Sequence, residues 1–157
     1  MIDEISLKIL KILQDKARVA NVEVARQVGM APSAVLERIR KLEKRGYIDG
    51  YEVRLNPSRF RRSLVGFIKL AVDGQGSERR IEKALAALDE IQELHYITGE
   101  DGYLLKVRVS DTEELNELVR DTIGAMEGVH AIHTAIVLST VKETARIPIG
   151  DKDLKNS

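Results

Sequence analysis

Apolar residues recur at helical spacing three times within the first 45 positions. Ile5, Ile9, Ile12 and Leu13 form one face of a helix running from Asp3 to about Asp15. Asp3 is placed to cap that helix, and Ile2 to pack onto Leu7. Val24, Ala25 and Val28 face inward from a second helix, which Asn21 is placed to cap. Ala25 is small enough for a close helix crossing. Gly29 supplies the following turn, where a positive φ is cheap only for glycine. A third helix opens at Pro32, whose missing N–H costs nothing at a first helical position. Val35, Leu36, Ile39 and Leu42 form its predicted buried stripe, and Gly46 ends it. Residues 47–53, YIDGYEV, then read as a small hairpin turning at Asp49-Gly50. Two helices around a glycine turn, followed by a hairpin, are the layout of a winged helix-turn-helix.

After residue 62 the periods change. Leu64–Val72 is a strand, and Ser77 is placed to cap a helix with Ile81, Ala84, Leu85 and Leu88 inward. Ile91–Thr98 and Tyr103–Val109 are strands around the turn Gly99-Glu100-Asp101-Gly102. Asp111 and Glu114 resemble a capping box for a helix burying Leu115, Leu118, Val119 and Ile123. Val129–Val141 is a long last strand. The order βαββαβ is ferredoxin-like. The expected class is therefore α+β: a winged helix-turn-helix over 1–53, a basic linker over 54–62, a ferredoxin-like domain over 63–149, and a polar, frayed tail over 150–157.

Strand faces refine this picture. Leu105, Val107 and Val109 alternate with Lys106 and Arg108, but the first and last strands are apolar on both faces. Two helices cover only one face of a four-stranded sheet. The other face calls for a partner, most simply a second copy packed sheet to sheet. Such a homodimer also gives DNA binding its two-fold logic of paired half-sites.

Charge divides the chain in the same place. Residues 1–62 carry 14 Lys+Arg against 8 Asp+Glu, a net +6, and the remainder carries −6. The first half is the one suited to a polyanion. RLNPSRFRR, residues 54–62, holds four arginines and no acid. The absence of cysteine excludes disulfides and thiolate metal sites. His95, His130 and His133 have no metal-ligand spacing and read as structural, so no metal or cofactor is expected. No apolar run reaches a membrane span, and the acidic opening MIDE predicts no signal peptide, so the expected location is cytoplasmic, with the nucleoid.

The third helix carries the candidate chemistry. A helix enters the major groove with its N-terminal side chains nearest the bases. Ser33, Ala34, Glu37 and Arg38 are accordingly expected at base edges. Arg40, Lys41, Lys44 and Arg45 are expected to include backbone clamps, which position without specifying. The run KLEKR also suits an ordinary solvated helix face. The preceding helix, turn and following hairpin favour DNA.

These stretches resemble one known family. Asp3-Glu4-Ile5 with Lys8-Ile9-Leu10, Gly29 with Pro32-Ser33-Ala34-Val35, Arg38-Ile39, Lys41-Leu42-Glu43 and Gly46-Tyr47-Ile48 are similar to the Lrp/AsnC (feast/famine) regulators. So are residues 98–107, TGEDGYLLKV, and 139–143, STVKE, all in the family's order. The resemblance implies an N-terminal DNA-binding domain and a C-terminal domain that binds a small effector, usually an amino acid. It also implies dimers that often assemble into octameric rings. It places the effector near Gly99, Glu100, Asp101, Gly102 and Tyr103, with Thr134 as a further hydroxyl partner.

Glycine N–H groups there suit an α-carboxylate, and Glu100 or Asp101 an α-ammonium. The same residues also suit a plain polar turn. Two departures stand out: Gly102 occupies the place of a family carboxylate, and Ala31 that of a capping serine. Two other functions share these modules. Sirohaem decarboxylases resemble the family in both domains, and an architectural DNA-binding protein would need no effector.

Overall fold

Asp3 caps the first helix: its carboxylate accepts the Ser6 N–H at 2.7 Å and opens α1 (Glu4–Asp15). The structure, a computed structural model, describes residues 2–73, 78–99 and 102–150. They divide into two units, one holding the chain up to Arg54 and again from Glu143, the other Leu55–Lys142.

In the first unit α2 (Asn21–Val28) and α3 (Pro32–Lys44) follow α1. Ile2, Leu7, Ile9, Val24, Ala25, Val35, Ile39 and Leu42 form the core. Ile2 and Leu7 share that core as the staple reading expects. Two readings change. Asn21 is the first helical residue rather than the cap, because the Ala20 carbonyl already accepts the N–H groups of Glu23 and Val24, at 2.9 and 3.2 Å. Leu36 is exposed, since each helical step turns about 100° and carries it off the line of Val35, Ile39 and Leu42. Gly29 ends α2 at φ 70°, in the left-handed region.

The predicted hairpin does not form. Residues 47–56 form no strand. Tyr47 N–H returns to the Leu42 carbonyl at 2.9 Å, and the Tyr51 hydroxyl donates to Glu43 Oε1 at 2.9 Å. These bonds lay the segment back along α3. An isolated two-stranded ribbon buries too little to stand alone.

The second unit is the expected α+β arrangement. It comprises β1 (Leu64–Val72), α4 (Glu78–Ala86), β2 (Ile91–Tyr96), β3 (Tyr103–Val109), α5 (Thr112–Glu117) and β4 (Val129–Ile136). α5 runs on as a π-helical turn, Leu118–Ile123, where Gly124 N–H reaches back five residues to the Val119 carbonyl at 2.9 Å. The sheet is antiparallel in the order β2-β3-β1-β4. Ile68, Leu70, Leu105, Val107 and Val109 pack beneath Ile81 and Leu85 of α4 and Leu115 of α5.

β4 stops five residues short of Val141. Its Ile136 already faces Gly66, and β1 begins at Leu64, so the strand runs out of partner after the bond from Val137 N–H to the Val65 carbonyl at 2.9 Å. Asp111 caps α5 as read, but Glu114 reaches back to Ser110 N–H, one residue before the cap, at 2.7 Å. The Ser77 cap and the tail 151–157 lie outside the described residues. Residues 143–149, placed with the second module by the sequence reading, group with the helices of the first unit.

Candidate nucleic-acid interface and effector site

α3 presents its polar flank on a rigid base. Val35, Ile39 and Leu42 anchor it in the core, which leaves Ser33, Glu37, Arg40, Lys41 and Lys44 exposed, with Arg45 at its end. Ala34 is half-buried. Arg40 Nη1 lies 3.6 Å from Glu37 Oε1, so part of its charge is spent along its own helix. Lys41, Lys44 and Arg45 hold no ion pair among the described residues. Ala31 sits at the cap of α3 with extended backbone and offers no side-chain acceptor.

Arg38 differs from its neighbours. Its Nη1 pairs with Asp3 Oδ2 and donates to Ser6 Oγ at 3.0 Å. Its side chain is only 29% exposed. Asp3 thus caps α1 and grips α3 at once. Its carboxyl is held down to about 2, first by the Arg38 hydrogen bond and then by the Ser6 N–H. Ser6 is the one buried polar residue described, and this network explains it. The sequence reading expects Arg38 at a base; the structure engages its guanidinium inside the protein. Only the close approach of α1 and α3 reveals this use of the residue.

In the second unit the chain turns between β2 and β3. Ile97 N–H donates to the Gly102 carbonyl at 2.7 Å, closing the turn. Gly99 and Gly102 adopt φ of 122° and 76°, conformations that keep side chains away and expose backbone. Glu100 and Asp101 lie outside the described residues. Tyr103 is buried, with its hydroxyl donating to Glu82 Oε1 at 2.8 Å. Burial first, then the Glu82 carboxylate, pushes that phenol up to about 12. Tyr96 meets Tyr103 edge to face, ring centroids 5.2 Å apart. Glu82, Tyr96 and Tyr103 line a shallow depression of about 510 Å³ beside the turn. Sequence spacing carries no sign of Glu82, which arrives from α4. Thr134 is not gathered here: it pairs with Ile68 on the far side of β1, two strand spacings or about 10 Å from β3.

The sheet face away from the helices is mixed. Phe67 is 38% exposed and stands between Lys106 and Ala135 in the register. On the helix side, Ile136, level with Gly66, is exposed at the end of β4, and Leu138 and Val141 beyond it are 98% exposed. His95 and His133 occupy the two edge strands, β2 and β4, with two strands between them. No group of three metal-ligating side chains occurs among the described residues. No described helix is long and apolar enough to cross a membrane.

Comparison with known proteins agrees with both units. Residues 2–49 match a winged helix-turn-helix DNA-binding family model. Residues 65–147 match the Lrp/AsnC ligand binding domain. The leucine-responsive regulatory protein of Escherichia coli K12 is 36% identical over 150 residues, covering 94% of this chain and 92% of that protein. A Neisseria meningitidis transcriptional regulator, solved with L-Met, superposes with a TM-score of 0.91 at 28% identity, covering 94% and 97% of the two chains. E. coli AsnC superposes with a TM-score of 0.86 at 26% identity, covering 94% and 99%.

Proposed function

Because this chain belongs to the Lrp/AsnC family of DNA-binding transcriptional regulators, we propose that it binds specific duplex sites through α3 and adjusts that binding to a small effector, an amino acid, held by its second unit. The observation that carries the reading is the polar flank of α3: cations without internal partners on a helix fixed from behind by a packed core. Ser33, Ala34 and Glu37 are assigned to base edges, and Arg40, Lys41, Lys44 and Arg45 to phosphates. Arg38 is assigned a positioning role, because Asp3 and Ser6 already engage its Nη1.

The effector site is assigned to the turn from Gly99 through Glu100, Asp101 and Gly102 to Tyr103, with Thr134 contributed across a subunit boundary. The regulator solved with L-Met supports an amino acid as the ligand class. Gly102 replaces a family carboxylate, and Glu82 supplies a nearby acid in its stead. Exposed Phe67, on the sheet face away from the helices, together with exposed Leu138 and Val141, supports a sheet-to-sheet homodimer and its further assembly toward an octamer. The relatives are regulators rather than enzymes. Within one subunit, His95 and His133 lie about three strand spacings apart, roughly 14 Å, which does not favour a tetrapyrrole site. On this reading the protein works with the DNA in the cytoplasm.

The test is binding to the protein's own upstream DNA against scrambled DNA, at one salt concentration, with and without pooled amino acids. Specific binding that shifts with the pool is expected. Specific binding without any shift removes the effector; equal binding to both DNAs leaves an architectural protein. No DNA binding overturns the reading.

A further inference from the structure

The chain crosses between its units twice, leaving the DNA-binding unit after Arg54 and returning at Glu143. Residues 143–150 form no helix or strand, yet they are matched to the far end of α1. Gln14 Oε1 accepts the Ile147 N–H at 2.9 Å, and Gln14 Nε2 donates to the Ile147 carbonyl at 3.3 Å. One side-chain amide thus offers the donor and acceptor that a neighbouring strand would offer. Arg146 Nη1 lies 2.6 Å from Asp15 Oδ1. Ile149 packs against the helical core. At the start of the segment, Arg54 Nη2 stands 4.0 Å from Glu143 Oε2.

These contacts resolve an oddity of α1. Its last turn holds Asp15 and no basic residue, although a carboxylate is unfavourable at the negative end of a helix. The missing cation comes from the other end of the chain, as Arg146. Pro148 follows Ile147; its fixed φ reduces the entropy lost when the segment docks. The contacts fall at Gln14 and Asp15, about 18 Å along the helix from Asp3. The segment therefore braces the scaffold of α3 and leaves its polar flank uncovered.

We propose that residues 143–149 are an integral strap of the DNA-binding unit, closing α1 from the far end of the chain, and that DNA affinity depends on this strap. The second half rests on the regulator reading above. The full-length chain tests both halves, using Gln14→Ala, Arg146→Glu and the charge-exchanged pair Asp15→Lys with Arg146→Glu. Alanine keeps helix propensity, so Gln14→Ala folds. Amide hydrogen exchange at Ile147 reads the strap directly. Protection is expected in the unaltered chain, lost in Gln14→Ala, reduced in Arg146→Glu and restored in the pair. An Ile147 that exchanges as in an unstructured chain, or is unaffected by Gln14→Ala, overturns the strap.

DNA affinity is expected to fall about two- to fivefold in Gln14→Ala and Arg146→Glu, the scale of exposed polar contacts. The salt dependence should stay unchanged, since the strap neutralises no phosphate. Unchanged affinity alongside lost protection overturns the functional half. An unaltered chain that binds no DNA overturns the regulator reading instead, while exchange at Ile147 still decides the strap.

Discussion

Arg38 and Lys44 sit six positions apart on one helix, yet their surroundings differ. Arg38 is paired to Asp3 and bonded to Ser6, whereas Lys44 has no internal partner among the described residues. Lys44→Ala is expected to weaken all DNA about equally and to lower the salt slope by about one contact. Arg38→Ala is expected to weaken binding with no change in slope; a slope reduced by one would place Arg38 on a phosphate. Both are read from affinities at several salt concentrations. Asp3 adds a pH signature. Its folded pKa, about 2, lies below the ordinary aspartate value of 3.8, so its contribution is present above pH 4 and lost as pH falls toward 2. Asp3→Asn should cost less than about 1 kcal/mol near neutral pH, since the carboxylate is half exposed to solvent screening. Urea unfolding should show that difference fading between pH 4 and 2. In the second unit Tyr103→Phe keeps the ring and removes the bond to Glu82. Absorbance titration should lose one phenolate step near pH 12.

Among elements, α3 departs from local preference at its start. Its cap, Ala31, has the extended backbone that a serine cap adopts, but no hydroxyl. Ala31→Ser is therefore expected to stabilise the protein by about 1 kcal/mol, checked by thermal unfolding; an unchanged midpoint would mean that the helix start is already satisfied. Helices α1 to α3, strands β1 and β3 and the caps at Asp3 and Asp111 were legible, because each rests on residues adjacent in sequence. The failures share a cause. The hairpin at 47–53 and the long reading of β4 depended on whether a partner strand was available, and periodicity carries no such information. Leu36 failed because an apolar residue one step off the stripe reads as core until the neighbouring helix is in place.

At the scale of the molecule, apolar side chains lie exposed on the sheet at Phe67, and at Leu138 and Val141 beyond β4. If a second copy covers the sheet, Phe67→Asp should place a charge in that contact and yield a monomer by sedimentation, with the fold intact by circular dichroism. A variant that remains dimeric would move the interface elsewhere.

The sequence by itself determined the two modules, the ferredoxin-like strand and helix order, the basic character of α3 and the family. All of these are carried by near-neighbour spacing and residue type. Tertiary structure alone decided the partners of Arg38, the acid that meets Tyr103, and the contacts of Arg146 and Ile147 with α1. Those contacts join residues 35, 21 and more than 130 positions apart. A side chain's job there depends on which group folding brings within hydrogen-bond reach, and no local pattern encodes that distance.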